Sequence, residues 1–334
     1  MIIEENKSLR GLHTFHIAVS ARYFAAFSSW EDLLDIPSDK GPVFVLGEGS
    51  NTLFLSDFPG LILKNDIRGI TLLHEDAEYV YVRAGAGENW HQFVMYAVAK
   101  GWGGVENLSL IPGSVGAAPI QNIGAYGVEL ESSFWDLEAF SLEDKKRVTF
   151  TRSDCAFGYR DSIFKGKCKG QYIILSVTFR LRKHPLFHTS YGALQAQLDK
   201  MGIAALTTEA VAQAVIQIRS SKLPDPEKLG NAGSFFKNPT VARPRCEELL
   251  QSYPDMPSFP QPNDMVKIPA GWLIEQCGWK GYRKGDAGCY AQQALVLVNY
   301  GEASGRDILA VSEAIRGDVL QKFGIPLETE VNIL

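Results

Sequence analysis

Short apolar runs with strand character dominate the first half of the chain. In "EYVYVRAG" (78–85) apolar and polar residues alternate with a period of two, which is typical of a half-buried strand. "PVFVLG" (42–47), "GLILK" (60–64) and "QYIILSVTFRL" (171–181) are more continuously apolar and also predict strands. We therefore expect the N-terminal half to be rich in β-structure.

Two other segments space their apolar residues as helices do. "WHQFVMYAVAKG" (90–101) ends in glycine, which is a helix stop signal. "TTEAVAQAVIQIRSSKLPDP" (207–226) opens with threonine and a first-turn glutamate, and it places Val211, Val215 and Ile218 on one face. Its prolines end the helix, and we expect a domain linker there.

The C-terminal third predicts a second mixed region. "ALVLVN" (294–299) and "PLETEVNIL" (326–334) predict strands, the latter terminal. The spacing Ser304-x-x-Asp307 is a capping-box pattern that begins a helix. The apolar face of that helix consists of Ile308, Val311, Ile315 and Val319. The proline-rich stretch 254–269 is expected to be a loop.

Composition and charge exclude several classes of protein. At 334 residues the chain suits two or three domains around a shared cleft. A net charge of −5 argues against a nucleic-acid groove, which needs a basic face. The N-terminus is too polar for a signal peptide, and no apolar run approaches the roughly 18 to 20 residues of a membrane span. The five dispersed cysteines are expected to be reduced thiols of a cytoplasmic protein, and no metal-ligand spacing occurs.

Glycine is unusually clustered. The 31 glycines concentrate in "LGEGSN" (46–51), "RAGAGENW" (83–90), "GWGGVENLSLIPG" (101–113) and "GSVGAAPIQNIGAYG" (113–127). Such clusters form either tight turns or loops whose backbone approaches a ligand closely. The dinucleotide fingerprint G-x-G-x-x-G fails in both candidate loops, and the chain has no G-K-[ST] for a P-loop.

Two of these loops still suit a nucleotide. "GEGSN" and "IQNIGAYG" are rich in backbone N–H groups and small polar side chains, which can hold a pyrophosphate without a lysine. Asparagine and glutamine in the second loop could bond a flat heterocycle. The pattern is compatible with a flavin dinucleotide in a fold other than the Rossmann fold.

Ser234 lies in "GNAGSFFKNP" (230–239) and has three interpretations: nucleophile, proton donor, or loop residue. With Lys237 it fits S-x-x-K, but that pattern needs a helix, where residues i and i+3 share a face. Pro239 and the nearby glycines disfavour a helix here. The residues alone leave the choice open.

Stretches along nearly the whole chain resemble, in the same order, those of UDP-N-acetylenolpyruvoylglucosamine reductases. They are "LGEGSN", "RAGAGENWHQFV", "ENLSLIPGSVGAAPIQNIGAYGVEL", "CAFGYRDSIFK", "KLPDP…GNAGSFFKNP", "AGWLIEQCGWKG", "QQALVLVN" and "LETEV". The tyrosine-bearing insertion "HTSYGAL" (188–194) resembles that of one subtype.

The resemblance implies an α+β fold with the FAD-binding architecture of vanillyl-alcohol oxidase and a C-terminal substrate domain. It places FAD-binding subdomains at 1–66 and 67–220 and the UDP-sugar domain at 221–324; the terminal strand, 325–334, returns to join the second subdomain. It implies a monomeric cytoplasmic enzyme of peptidoglycan precursor synthesis. This enzyme would reduce UDP-N-acetylglucosamine enolpyruvate to UDP-N-acetylmuramate, with non-covalent FAD and with NADPH as co-substrate.

The resemblance also assigns site residues. The motif F-G-Y-R-D-S, at residues 157–162, places the charge-stabilising arginine at Arg160. The family serine, as proton donor, falls on Ser234, and the family glutamate of the last strand falls on Glu330, which could hold Arg160 or a water in place or carry a proton itself. The implied cofactor-binding residues are Gly47, Glu48, Gly49, Ser50, Asn51, Pro112, Gly113, Ile120, Gln121, Asn122, Gly124, Ile174 and Arg219. The implied substrate-binding residues are Tyr126, Tyr159, Tyr191, Lys222, Asn238, Lys267 and Gln293.

Some positions depart from the family pattern. Phe259 replaces a tyrosine expected to pack on uracil, and Asp286 and Tyr290 alter the loop 283–293. Thr329 replaces a proline and leaves the last strand less rigid. Two other functions remain as alternatives: an oxidase of the same fold with flavin attached at His91, and a sensor of nucleotide sugars without catalytic activity.

Overall fold

The computed structural model describes residues 1–334 and shows a mixed α and β protein. Its strands are β1 (Glu4–Ser8), β2 (Ser20–Phe27), β3 (Val43–Leu46), β4 (Thr52–Leu53), β5 (Phe58–Asn65), β6 (Ile70–Glu75), β7 (Tyr79–Gly85), β8 (Gly124–Ala125), β9 (Val128–Glu129), β10 (Phe134–Ser141), β11 (Lys146–Thr151), β12 (Tyr172–Arg182), β13 (Gly230–Ser234), β14 (Thr240–Ala242), β15 (Phe259–Gln261), β16 (Met265–Lys267), β17 (Arg283–Lys284), β18 (Ala287–Cys289), β19 (Val296–Asn299) and β20 (Asn332–Ile333). Its helices are α1 (Trp90–Ala99), α2 (Arg152–Cys155), α3 (Leu194–Lys200), α4 (Thr208–Lys222), α5 (Arg243–Ser252), α6 (Ala270–Gln276) and α7 (Gly305–Phe323). Four short 3₁₀ helices span Glu31–Leu33, Glu106–Leu108, Val115–Gln121 and Leu130–Ser132.

The chain forms two compact units. The first unit consists of Met1–Lys7, Ala21–Glu48 and Pro59–Ser221. The second unit consists of Ser8–Ser20, Gly49–Phe58 and Lys222–Leu334. The division into three domains at 66/67 and 220/221 stays a prediction.

Two sheets organise the first unit, with strand orders β1-β2-β5-β3 and β11-β10-β12-β7-β6. β12 is buried on both faces, because Ile173 and Leu175 pack into one core while Ile174 and Phe179 pack into another. The first of these cores also contains Phe27, Leu61 and Leu63 of the four-stranded sheet. The second contains Trp90 and Phe93 of α1. This double burial explains why β12 is a continuous apolar run instead of an alternating one.

The predicted helices of the first unit are confirmed. The Asn89 side chain caps α1 by accepting the Gln92 N–H at 2.9 Å, and the chain leaves the helix through Gly101 with a φ of +72°. In α4 the predicted face of Val211, Val215 and Ile218 is buried against α3.

The second unit contains the sheet β13-β19-β18-β17, against which α7 packs. The predicted apolar face of α7 is buried: Ile308, Val311, Ile315 and Val319 are at most 5% exposed. Ser304 and Asp307 form the predicted capping box, in which each side chain bonds the backbone N–H of the other residue, at 3.2 and 2.9 Å.

Two predictions for this unit need correction. The stretch 254–269 is not a loop throughout, because β15 and β16 form a hairpin there. Pro260 is tolerated because β15 is the edge strand of its sheet, and Asn263 and Asp264 make the turn with φ values of +58° and +56°. The terminal strand is shorter than predicted: only Asn332–Ile333 form a strand, which runs parallel to β4.

We expect Ser304→Ala to lower the free energy of unfolding by about 1 kcal/mol, because it removes the side-chain oxygen that accepts the Asp307 N–H. Urea unfolding followed by circular dichroism measures this loss. Ser252→Ala, in the last turn of α5, is the matched control and should change stability by less than about 0.5 kcal/mol. Equal stabilities for the Ser304 variant and the wild type would contradict the role of the cap.

Candidate functional site

The loop after β3 carries the first two predicted cofactor residues, Gly47 and Glu48. It lies at the carboxyl ends of the parallel strands β3 and β5, where α/β sheets commonly bind ligands. A Cβ on Gly47 would lie 2.4 Å from the Ser114 Oγ, so any other residue would force that serine to turn away. The Glu48 carboxylate accepts hydrogen bonds from the Asn89 side chain at 2.7 Å and from the Gly113 N–H at 3.1 Å. Glu48 thus joins its own loop to the glycine-rich stretches that carry Asn89 and Gly113.

The next predicted cofactor residues, 49–51, belong to the second unit. Gly49 has a φ of +62°, and a Cβ there would lie 2.5 Å from the Leu12 carbonyl oxygen. The position therefore requires glycine. The Asn51 Nδ2 donates a hydrogen bond to the Glu330 carbonyl oxygen at 3.2 Å. A predicted cofactor residue and the backbone of a predicted catalytic residue are thus in contact within this unit.

The loop 120–124 is bonded to the turn that carries Arg160. The Ser162 Oγ donates to the Ile120 carbonyl at 2.6 Å, and the Asn122 Nδ2 donates to the Gly158 carbonyl at 3.1 Å. Asn122 is fully buried and Gln121 is half-buried. These bonds fix the second predicted cofactor loop to the F-G-Y-R-D-S segment, and Ser162 is a contributor that the sequence interpretation missed.

Arg160 lies in a tight turn closed by two backbone hydrogen bonds between Gly158 and Asp161. Its φ of +53° is in the left-handed region, which costs energy for a residue other than glycine. The guanidinium donates to the Gly124 carbonyl at 2.6 Å and lies 5.4 Å from the centre of the Tyr159 ring. A Cβ on Gly124 would approach this guanidinium to 2.9 Å, so glycine makes room for it.

Arg219 belongs to the same unit as Arg160 and is close enough to feel its positive charge. Its Nε donates to the Leu110 carbonyl at 3.2 Å, and the Leu110 N–H donates to the His91 Nδ1 at 3.0 Å. Burial lowers the pKa of the Arg219 guanidinium; Tyr126 opposes this shift and the positive charge of Arg160 adds to it. The pKa of His91 is also lowered, chiefly by burial and further by Arg219.

Pro112 and Ile174 differ in their surroundings. Pro112 is exposed, whereas Ile174 is buried and its carbonyl accepts the Asn65 Nδ2 at 2.9 Å.

The predicted tyrosines of the first unit also differ. Tyr126 packs against the apolar cluster of α3 and α4, and burial raises the pKa of its phenol. Tyr159 and Tyr191 are exposed, and a Cβ on Gly127 would lie 3.2 Å from the Tyr191 Cβ. The side chains of Tyr126 and Tyr191 thus flank one glycine turn.

Ser234 is the last residue of β13 and is exposed. Between Asn231 and Ser234 the register with β19 shifts, which is the signature of a β-bulge, and Gly233 has a φ of +68° there. A bulge re-aims the side chain that follows it. Because Ser234 lies on a strand, the helical S-x-x-K interpretation is wrong; the Lys237 Nζ instead pairs with the Glu328 carboxylate at 3.2 Å.

The segment after β13 runs beside the segment that carries Glu330. The Glu330 N–H donates to the Phe235 carbonyl at 2.8 Å, and Phe236 and Thr329 form an antiparallel bridge. The predicted Ser234 and Glu330 are therefore brought to neighbouring positions. Arg160 belongs to the other unit.

Two predicted substrate residues of the second unit, Asn238 and Gln293, lie at the start of α6. The Asn238 Oδ1 accepts the Ala270 N–H at 2.9 Å, and the Gln293 Oε1 accepts the Leu295 N–H at 3.3 Å. Both amides thus turn their oxygen to the backbone, which directs their NH₂ groups elsewhere. Lys267 pairs across the hairpin with Phe259. Lys222 ends α4 and is exposed.

The predicted cofactor residues suit a dinucleotide better than a metal ion. Glycines stand where a Cβ would clash at residues 47, 49 and 124, and polar side chains position the loops around them. The structure brings together no three His, Cys, Asp or Glu residues that could hold a metal ion. No helix combines the length and apolarity needed to cross a bilayer, and all five cysteines are unpaired.

An open cavity of the first unit lies apart from these residues. Its charged lining consists of Arg68, Arg83, Arg147, Glu31 and Glu138. The Glu138 carboxylate lies 3.5 Å from Arg83 and 3.9 Å from Arg147. It therefore forms ion pairs with both arginines in the wall of the cavity. None of the predicted site residues lines this cavity.

Comparison with known proteins identifies related chains. Residues 225–334 match the family model of the UDP-N-acetylenolpyruvoylglucosamine reductase C-terminal domain, and residues 29–139 match an FAD binding domain. The UDP-N-acetylenolpyruvoylglucosamine reductase of Amoebophilus asiaticus is 48% identical over 338 residues, which is 100% of both chains. That of Chromobacterium violaceum is 47% identical over 98% of this chain and 97% of its own.

A solved structure has the same fold. The UDP-N-acetylenolpyruvylglucosamine reductase of Thermus caldophilus matches with a TM-score of 0.71 at 23% identity, over 100% of this chain and 99% of its own. The predicted α+β fold, with an FAD-binding part and a C-terminal domain, is confirmed.

His13 packs against Gly49, in the predicted cofactor loop of the second unit. It is 2% exposed, its Nε2 bonds the Ile17 carbonyl at 3.1 Å, and its Nδ1 is buried without a partner. Its ring lies 5.2 Å from that of Phe54. Burial, and to a lesser extent His16, lowers the pKa of His13 to about 4, although the Ile17 carbonyl opposes the shift.

We expect this histidine to make the fold acid-sensitive. The unfolded chain binds a proton at His13 below pH ~6.5, whereas the folded chain binds it only below about 4, so stability falls as the pH drops through that window. The loss should approach about 2 to 3 kcal/mol. Urea unfolding from pH 7 to pH 4 measures it. His13→Gln should flatten the slope, whereas His184→Gln, at an exposed histidine, should not; identical slopes for all three proteins would contradict the assignment.

Proposed function

Because this chain belongs to the family of UDP-N-acetylenolpyruvoylglucosamine reductases, we propose how its own residues carry out the family reaction. The chain is an FAD-binding oxidoreductase of peptidoglycan precursor synthesis. It reduces the enolpyruvyl group of UDP-N-acetylglucosamine enolpyruvate, with NADPH as co-substrate, to give UDP-N-acetylmuramate. The roles of individual residues are our proposal.

Arg160 stabilises the charge that forms during the reaction. FAD, when bound, supplies a hydride to the terminal carbon of the enolpyruvyl double bond. Negative charge then spreads onto the substrate carboxylate and needs a fixed cation close to it. The turn at Gly158–Asp161 and the bond to the Gly124 carbonyl hold the Arg160 guanidinium in one place, which supports this role.

Ser234 donates the proton to the neighbouring carbon. A hydroxyl is a weak acid, but an enolate is a strong base, so the pair is chemically matched. The observation that carries the proposal is the hydrogen bond between the Glu330 N–H and the Phe235 carbonyl, because it brings the two predicted catalytic residues of the second unit together. Glu330 is half-buried there and holds a water or a cation or carries a proton itself.

The remaining polar residues bind the substrate and cofactor. The NH₂ groups of Asn238 and Gln293 and the ammonium groups of Lys222 and Lys267 suit a diphosphate and uridine. Tyr126, Tyr159 and Tyr191 face the sugar and its phosphates. The FAD would be held, without a covalent bond, by residues 47–51, 112–113, 120–122 and 124 together with Ile174 and Arg219.

The remaining proposals rest on the family resemblance. They are the three-domain division at 66/67 and 220/221 with the returning strand 325–334, a monomeric state and a cytoplasmic location. The unpaired cysteines are consistent with a reducing compartment.

A selective kinetic defect tests the role of Ser234. We expect Ser234→Ala to leave FAD binding and flavin reduction by NADPH nearly unchanged, and to slow reoxidation by the enolpyruvyl substrate by ~10² to 10⁴-fold, the usual contribution of a positioned acid. Ser234→Cys should recover part of the rate, because a thiol is the stronger acid. Stopped-flow absorbance measures each half-reaction separately.

Three other outcomes would contradict a proton-donating Ser234. A change of only a few-fold in both half-reactions would make Ser234 a loop residue. Equal slowing of both would indicate misplaced flavin or damaged folding. A covalent adduct trapped on Ser234 during turnover would make it a nucleophile.

The mode of flavin attachment separates the proposed reductase from an oxidase with flavin bound to His91. The His91 Nδ1 already accepts the Leu110 N–H, which favours a non-covalent cofactor. After acid denaturation and centrifugation we expect yellow flavin in the supernatant. Flavin retained in the pellet would support the oxidase. A sensor without catalytic activity would differ again, because anaerobic NADPH would leave its flavin unbleached.

A further inference from the structure

Lys64 is a lysine in an unusual position. It lies near the end of β5, opposite Leu46 of the parallel strand β3, and is half-buried. Its Nζ donates a hydrogen bond to the carbonyl of Gly47, the first residue of the cofactor loop. Leu61 and Leu63 face the apolar core of the first unit, so the alternation of the strand directs Lys64 to the opposite face. The ammonium group is thus held at the loop and not in bulk water.

The charges around Lys64 do not form an ion pair with it. The carboxylates of Asp66 and Glu48 act on it only through their electric field, and Arg68 opposes them. Glu48 uses its two oxygens for Asn89 and Gly113. Burial lowers the pKa of Lys64, which means that the ammonium is poorly solvated where it stands. An anion that binds beside such a poorly solvated ammonium group stabilises it more than it would stabilise a fully hydrated one.

The loop next to Lys64 has a backbone that suits such an anion, but it also carries a negative charge. Its glycines and its position at the carboxyl ends of two parallel strands fit a diphosphate. However, Glu48 brings a negative charge to the same loop, and this charge repels phosphate. A cation near Gly47 would offset it.

We propose that Lys64 positions the diphosphate of FAD, by placing a positive charge at Gly47 that attracts the two phosphates and offsets Glu48. The inference rests on the FAD binding of the proposed function and adds a residue that none of the sequence motifs contains. Lys64 is a positioning residue for the cofactor and takes no part in proton transfer.

A simpler role for Lys64 is to hold the Gly47 carbonyl as a hydrogen-bond donor. Three substitutions separate the two roles. Lys64→Met keeps the length of the side chain and removes both charge and donor. Lys64→Gln keeps a donor without charge, and Lys64→Arg keeps both. Lys146→Met, on β11, is the matched control, because it removes the same charge from an exposed lysine of the same unit.

The measurement is the dissociation constant of FAD for the flavin-free protein, from quenching of flavin fluorescence at several salt concentrations. We expect Lys64→Met and Lys64→Gln to weaken binding by about 10- to 100-fold at low salt, as the loss of a charge-assisted hydrogen bond does. The difference in FAD affinity between these two variants and the wild type should narrow at high salt, because salt screens charges that are partly exposed. Lys64→Arg and Lys146→Met should stay within a few-fold of the wild type.

The outcomes are distinguishable. Wild-type affinity in Lys64→Gln would leave Lys64 only as a hydrogen-bond donor, and wild-type affinity in Lys64→Met would remove any role in FAD binding; either result overturns the inference. A wild-type protein that binds no FAD would instead refute the proposed function. Circular dichroism and thermal melting of each variant show whether weak binding arises from unfolding; weak binding by a folded Lys64→Arg would also overturn the charge-based role.

Discussion

The hydrogen bond from the Glu330 N–H to the Phe235 carbonyl is the constraint on which the placement of Ser234 beside Glu330 in the second unit depends. Phe235 and Phe236 are buried, so the backbone around them is fixed by packing. The bulge at Gly233 then turns the chain so that Ser234 stays exposed while Ala232 and Phe235 are buried. An exposed side chain and a rigid, buried backbone thus occur at adjacent residues, as a side chain held by its scaffold requires.

In the first unit, backbone carbonyl groups hold Arg160 in position. Arg160 accepts an unfavourable left-handed conformation, and its guanidinium bonds a carbonyl that only a glycine can present so closely. Asn122 and Ser162 bind the two segments together from the buried side. A hydrogen bond to a carbonyl oxygen, unlike one to a carboxylate, does not itself neutralise the charge of the guanidinium.

Periodicity and local motifs were sufficient to predict what is determined locally. The α7 helix, with its cap at Ser304 and its buried face, follows from side-chain spacing alone, as do the main strands of the first unit. The hairpin at 259–267 was missed because proline usually breaks a strand, and only its place at a sheet edge permits it. Lys64 was missed because "GLILK" does not reveal where a lysine side chain points. The hydrogen bond from the Ala270 N–H of α6 to the Asn238 Oδ1 joins residues far apart in sequence, and no local pattern encodes such a contact.

Neither of the two units is a continuous segment, and this has a consequence for how the protein can be handled and assembled. The chain passes from one unit to the other at 7/8, 20/21, 48/49, 58/59 and 221/222. A fragment from Lys222 onward would therefore lack the 8–20 and 49–58 segments that complete its own unit. Many contacts within each unit join distant parts of the sequence, and such topologies lose more chain entropy before they gain stabilising contacts, so they fold slowly. Separate expression of either half would yield an incomplete core, and newly made chains would depend on closing long loops before either unit is complete.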